Sequence, residues 1–207
     1  MKQTYIIGII IASIIVLGAG SWYWYLQQQT DQAIDPIISY NGYYFAYAEG
    51  LWTTQLQRGV FSQQAYFRSS PKDVEDIALE GNLSSFLPAN TTYIAFYPKE
   101  KMGNVNLALS QIAVTLADAY VLLQDEPFNP IIVCADTSMP ECTMPDHTGV
   151  PLPIKNCSDA SKTILFEEAN EAKIIANETC IRLQGPSENI IGVADKMLYV
   201  WLGIMEQ

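Results

Sequence analysis

A run from Tyr5 to Leu26 holds about 22 residues, apolar apart from glycine and serine, and none of them is charged. About 20 helical residues at roughly 1.5 Å each cross the hydrocarbon core of a bilayer. The run therefore predicts a transmembrane helix, with the lipid bilayer as its partner through residues 5–26. It closes on Trp22-Tyr23-Trp24-Tyr25, aromatic residues that favour the membrane–water interface. Lys2 precedes the run, whereas Asp31 and Asp35 follow it and the next cation is Arg58. The positive-inside rule then places the N-terminus in the cytoplasm and the C-terminal bulk outside. A cleaved secretory signal is the competing reading, because Ile6 to Leu17 resembles an h-region and Gly18-Ala19-Gly20-Ser21 supplies small residues. The apolar stretch continues to Leu26, where a mature secreted chain turns polar, and this favours a retained anchor. The expected organisation is a signal anchor over 1–26, a polar spacer over 27–36 and one extracytoplasmic domain over 37–207.

Export agrees with the cysteines and the sequons. Cys134, Cys142, Cys157 and Cys180 all follow the apolar run, an even number that suits two disulfides in an oxidising compartment. Their spacing, Cys-x7-Cys-x14-Cys-x22-Cys, lacks the close cysteine pairs of structural zinc sites. Four cysteines allow three pairings, and the sequence leaves all three open. Cys134 with Cys142 and Cys157 with Cys180 is the preferred one, since each bond would tether the long proline-rich loop 136–162 to a strand. Four glycosylation sequons begin at Asn82, Asn90, Asn156 and Asn177, usable where the host has an Asn-glycosylation pathway.

The chain carries a formal charge of −11, and its cations form no cluster. Nucleic-acid binding needs a basic footprint against phosphates, so no nucleic-acid partner is expected. Adsorption of the domain to anionic lipid is disfavoured for the same reason.

From Ile37 the pattern turns to strands. Leu51 to Gln57 sets Trp52, Thr54 and Leu56 on one face, and Val60 to Arg68 sets Phe61, Ala65 and Phe67 together, with turns at Glu49-Gly50 and Arg58-Gly59. Period-two alternation broken by glycine turns predicts an antiparallel meander with one buried face. Ser70-Pro71 starts a short helix, and Thr92 to Tyr97 reads as a strand. A long helix from Asn104 to about Leu123 follows, with Val105, Leu109, Ile112, Leu116, Tyr120 and Leu123 inward. Ile131 to Ala135, Thr163 to Phe166 and Lys173 to Gln184 read as further strands, the last broken near Asn177. A helix from Gly185-Pro186-Ser187 to about Met205 closes the domain, too short in its uncharged run to be a second span. The predicted class is α/β or α+β: a mixed sheet covered by two long helices, with the meander extending one edge of that sheet. An all-β sandwich is the alternative.

Few constellations carry chemistry. His147, the lone histidine, lies in the loop Pro145-Asp146-His147-Thr148-Gly149, and no Gly-x-Ser-x-Gly elbow or phosphate-cradling glycine motif is present. Carboxylates gather at Asp73, Glu75 and Asp76 and at Glu167, Glu168 and Glu171, and both groups read first as solvated turn charges. No catalytic residue, metal or cofactor is assigned. The aromatic group Tyr40, Tyr43, Tyr44, Phe45, Tyr47 and Trp52 is the most suggestive feature. Alternating faces of a strand bury about half of such residues, and the rest can dock a partner or a sugar ring. Tyr43, Tyr44, Tyr47 and Trp52 are the candidate partner-binding residues.

Several short motifs remain: Trp52-Thr53-Thr54, Phe67-Arg68-Ser69-Ser70-Pro71 with Val74-Glu75-Asp76-Ile77, Tyr93-Ile94-Ala95-Phe96-Tyr97-Pro98, Ala194-Asp195-Lys196-Met197-Leu198-Tyr199 and Leu202-Gly203-Ile204-Met205. In these the chain resembles a group of uncharacterised membrane-anchored ectodomain proteins of small-genome archaea. The resemblance implies a recurrent envelope domain and no catalytic residue, and an archaeal host would make the sequons usable. The expected function is a membrane-anchored cell-envelope interaction or structural protein that binds another envelope protein. The alternative is an extracytoplasmic carboxylate-based hydrolase.

Overall fold

The computed structural model describes residues 36–86, 91–97, 103–124, 129–137, 142 and 152–207. The expected span over 5–26, the rest of the spacer up to 35, Asn90, His147 and residues 138–141 and 143–151 of the loop lie outside the described residues. Among those described, no helix is long and apolar enough to cross a membrane.

The domain is α+β. Four strands, β1 (Ile37–Tyr40), β2 (Tyr43–Ala48), β3 (Leu51–Arg58) and β4 (Phe61–Phe67), form an antiparallel meander in sequence order. Two of its turns, Asn41-Gly42 and Glu49-Gly50, hold positive φ at both central residues, the geometry whose twist matches a two-residue hairpin. Alternation sends Phe45, Thr54, Leu56, Ala65 and Phe67 to a buried inner face.

A second sheet of six strands runs in the order β5-β9-β10-β8-β6-β7. Its strands are β5 (Ala78–Gly81), β6 (Thr91–Phe96), β7 (Asn129–Cys134), β8 (Thr163–Glu168), β9 (Lys173–Ala176) and β10 (Cys180–Gly185). Strands β10, β8, β6 and β7 are mutually parallel and β9 is antiparallel to β10. Helix α1 (Gly103–Gln124) is the crossover from β6 to β7, and α2 (Ile190–Trp201) follows β10. Pro130 sits on the edge strand β7, the place in a sheet where proline is tolerated.

The meander does not extend the mixed sheet, contrary to the sequence expectation. It is a separate layer, and α2 lies between the two sheets. Every residue of α2 from Val193 to Val200 is buried, because the helix meets β9 and β10 on one side, α1 on another, and the meander's Phe45 and Phe67 through Tyr199. Phe45 and Phe67 of the meander pack on Tyr199 of α2 with ring centroids 5.8 and 4.1 Å away. One apolar core therefore joins both sheets and both helices. Helix α1 runs beside α2 and against β4. There Gln111 and Thr115 both donate to the carbonyl of Tyr66, satisfying a backbone acceptor that an edge strand would otherwise expose. The closing helix begins at Ile190 rather than at Gly185, and the Ser70-Pro71 start yields a single 3-10 turn, Pro71–Asp73, with a reciprocal capping box between Ser70 and Asp73.

The other face of the mixed sheet carries a smaller cluster of Ala95, Val133, Ala135, Leu165 and Cys180. The disulfides anchor chain over it. Cys134 is bonded to Cys142 and Cys157 to Cys180, with Cα separations of 5.7 and 5.3 Å. Residues Pro153 and Lys155 bond the backbone of Cys134, extending the sheet past β7, and Lys155 Nζ lies 5.4 Å above the ring of Tyr93.

Candidate functional site

Two places concentrate polar groups that packing alone does not require. The first is internal. On α2, residues one turn apart share a face, and Asp195 and Tyr199 both face the segment leaving β4. The Oδ2 of Asp195 accepts from the backbone N–H of Arg68 at 3.0 Å and of Ser69 at 2.7 Å. The Tyr199 hydroxyl donates to the carbonyl of Ser69 at 2.6 Å. Lys196, one residue along, donates to the carbonyl of Glu75 at 2.9 Å. The motif stretches around Phe67–Pro71 and Ala194–Tyr199 are thus each other's partners.

Asp195 is wholly buried, and its Oδ1 has no hydrogen-bond partner among the described residues. Burial pushes its carboxyl up to about 7 against the opposing pull of the two backbone donors. Burial also raises the Tyr199 hydroxyl and lowers the Lys196 ammonium. This carboxyl is a structural lock. It ties α2 to the chain that leaves β4. Sequence reasoning passes over it, although Ile191, Asp195 and Tyr199 recur at the four-residue helical step.

The second place is on the outer face of the meander. The β1–β2 and β3–β4 ladders run their full length, but β2 and β3 pair only through Ala46–Thr53, Tyr47–Trp52 and Ala48–Leu51. Past Thr53 the two strands part, and the Thr54 hydroxyl, not a backbone group, donates to the carbonyl of Tyr44 at 3.0 Å. A depression of about 310 Å³ opens there, lined by Ile37, Tyr44, Phe45, Ala46, Thr53, Thr54, Gln55 and Gln64. None of the eight is charged. Tyr44 is 74% exposed beside it.

The four aromatic candidates divide by strand parity. Tyr43 and Trp52 lean on the core, and Tyr47 packs on Trp52 with ring centroids 5.0 Å apart. Tyr44 alone of the four projects from the outer face. Ile37, Thr53, Gln55 and Gln64 join it only through cross-strand register, which no local pattern reveals.

No protein-family model, curated protein or solved structure matches this chain.

Three sequons fall among the described residues, and they share one local geometry. The side-chain oxygens of Asn82, Asn156 and Asn177 accept from the backbone N–H two residues on, at 2.8, 2.9 and 3.0 Å, closing an Asx turn. Asn82 and Asn177 are exposed, whereas Asn156 is half-buried and its amide donates to the carbonyl of Ala135 at 3.3 Å. Of the carboxylate groups, Asp73 caps its own turn and Glu75 accepts from the Tyr40 hydroxyl. Glu167 makes a two-point pair with Arg182 and also accepts from Gln184. Among the described residues no cluster of side chains has the makings of a metal site.

Proposed function

We propose that this is a membrane-anchored cell-envelope interaction protein. A single span over 5–26, with its N-terminus in the cytoplasm, holds an acidic, disulfide-stapled domain outside. The domain binds another envelope protein with the outer face of its meander. The observation that carries the reading is Tyr44, an aromatic ring left in solvent above an uncharged depression while its neighbours Tyr43, Tyr47 and Trp52 turn inward. An isolated exposed tyrosine is ordinary, but one at the rim of a concave surface with convergent amides is the composition of a recognition patch. The two disulfides suit an oxidising exterior, and the net charge of −11 favours solubility at a crowded surface. The hydrolase alternative gains no comparable support, since among the described residues the one carboxyl raised to about 7 is sealed inside the core.

The test places a photo-reactive amino acid at position 44 of the full-length chain and irradiates intact membranes. The reading expects discrete cross-linked species that are missing when the same group stands at Lys72, on the surface away from the depression. Equal labelling at both positions, or none at 44, would overturn it.

A further inference from the structure

We infer that the depression beside Tyr44 binds a neutral pyranose unit of a glycan carried by a neighbouring envelope molecule. The inference rests on the interaction reading above and adds the chemistry of what is recognised.

Three observations converge. Size comes first: about 310 Å³ is at the small end of ligand pockets, suited to one or two sugar rings and not to a folded partner's loop. The lining comes second. A pyranose has an apolar face of C–H groups and a rim of hydroxyls that both donate and accept. Tyr44 and Ile37, 74% and 67% exposed, offer an aromatic plate and an aliphatic edge for that face. Gln55 and Gln64 offer amides, which both donate and accept, and Thr53 offers a hydroxyl oxygen that accepts. Gln64 is held in place by a bond accepted from the Tyr66 hydroxyl at 3.2 Å, which leaves its amide N–H₂ for a ligand. Thr53 is steadied on the carbonyl of Ala46 at 3.3 Å.

Charge comes third. In a chain with 22 acidic residues, a patch of eight uncharged lining residues repels no neutral ligand and supplies no cation for a phosphorylated, sulfated or carboxylated sugar. An extended peptide is the competing occupant, because the parted strands β2 and β3 offer backbone edges. The Thr54 hydroxyl already takes the Tyr44 carbonyl on that seam, which removes one of the acceptors a peptide would use.

The experiment uses the full chain in nanodiscs, since sugar-headed detergents would occupy the site. Neutral mono- and disaccharides are titrated by saturation-transfer NMR alongside a glucuronic acid and a sialic acid. Binding of one or more neutral sugars, with none of the acidic ones, is the expected result. Tyr44→Ala weakens that binding about tenfold, the worth of one stacked aromatic contact, and Tyr44→Phe keeps it, because the ring and not the hydroxyl does the stacking. Gln64→Ala weakens it several-fold. No saturation transfer from any neutral sugar, binding indifferent to Tyr44→Ala, or displacement of the sugar by an uncharged extended peptide that binds more tightly would each overturn the inference. Capture from intact membranes separates the two readings. If mild periodate treatment of the envelope glycans abolishes cross-linking at position 44, the glycan inference is supported. If cross-linking persists through that treatment, the partner surface stands and the glycan inference falls.

Discussion

Replacing Asp195 by Asn should stabilise the domain at neutral pH and leave it unchanged in acid. In the unfolded chain the carboxyl titrates at its ordinary value of 3.8, and in the folded domain burial raises it to about 7. Between those values the folded state holds a proton that the unfolded state has released. Unfolding free energy therefore falls as pH rises, by up to about 1.4 kcal/mol for each step of one in pH. The stabilising contribution of the neutral carboxyl is complete below about pH 4 and is lost above about pH 7. Summed across that window, the loss comes to about 4 kcal/mol. Asparagine has nearly the same shape. Its side-chain oxygen can accept the N–H groups of Arg68 and Ser69 as Oδ2 does, and it never ionises. Urea unfolding of both proteins in steps from about pH 4 to about pH 8 gives the difference, in which the titrations of the other groups largely cancel. That difference should be near zero at the acid end and grow to about 4 kcal/mol in favour of Asn. A difference that stays flat across the range would refute the assignment of a buried, proton-holding carboxyl at 195.

Removing Cys157–Cys180 by paired Cys→Ser substitution should cost about 3 kcal/mol and Cys134–Cys142 somewhat less, since the separations are 23 and 8 residues; denaturant midpoints with and without reductant check this. Gly81→Ala should detach β5, because at φ +89° an added Cβ would lie 2.0 Å from the carbonyl oxygen of Ala176. A loss of about 2–3 kcal/mol and faster amide exchange confined to β5 and β9 are expected. Tyr199→Phe should cost about 1–2 kcal/mol, since it leaves the carbonyl of Ser69 without its donor inside the core; thermal unfolding reads it. Glycan occupancy by mass analysis should be high at Asn82 and Asn177 and low at Asn156, which is half-buried and whose amide donates to the carbonyl of Ala135.

Much of the fold was legible in local pattern. Glycine turns and parity located β3 and β4, the three- and four-residue steps located α1, and the break near Asn177 separated β9 from β10. The pairing of Cys134 with Cys142 and Cys157 with Cys180 is the one preferred on tethering grounds. Placement of the meander was not legible. Phe45, Leu56 and Phe67 make an apolar face that would serve equally well continued into the mixed sheet or laid on a helix, and only the all-round burial of α2 decides it. The outer depression was hidden for a related reason. Tyr44 stood in a run of aromatics whose parity is plain, but Gln55 and Gln64 reach it through register. Asp195 was legible in principle, at the helical step between Ile191 and Tyr199, yet a charge on a helix suggests solvent until the layer above it is known.

The helix that lies between the two sheets is also late. Ser69 and Tyr199 are bonded across 130 residues, so a chain made from its N-terminus presents the meander's aromatics long before Tyr199 of α2 exists to pack on them. Until then Phe45 and Phe67 face water, and sheets with such exposed faces invite wrong partners. Arrival of α2 is therefore a completion signal: one element that at once packs on the aromatics and closes the Asp195 lock. A ribosome that stalls before residue 190 would release a chain whose defect is displayed on its surface as a sticky sheet. Quality-control proteases could read that sheet directly, and pulse-labelled truncations ending before and after α2 should differ sharply in lifetime.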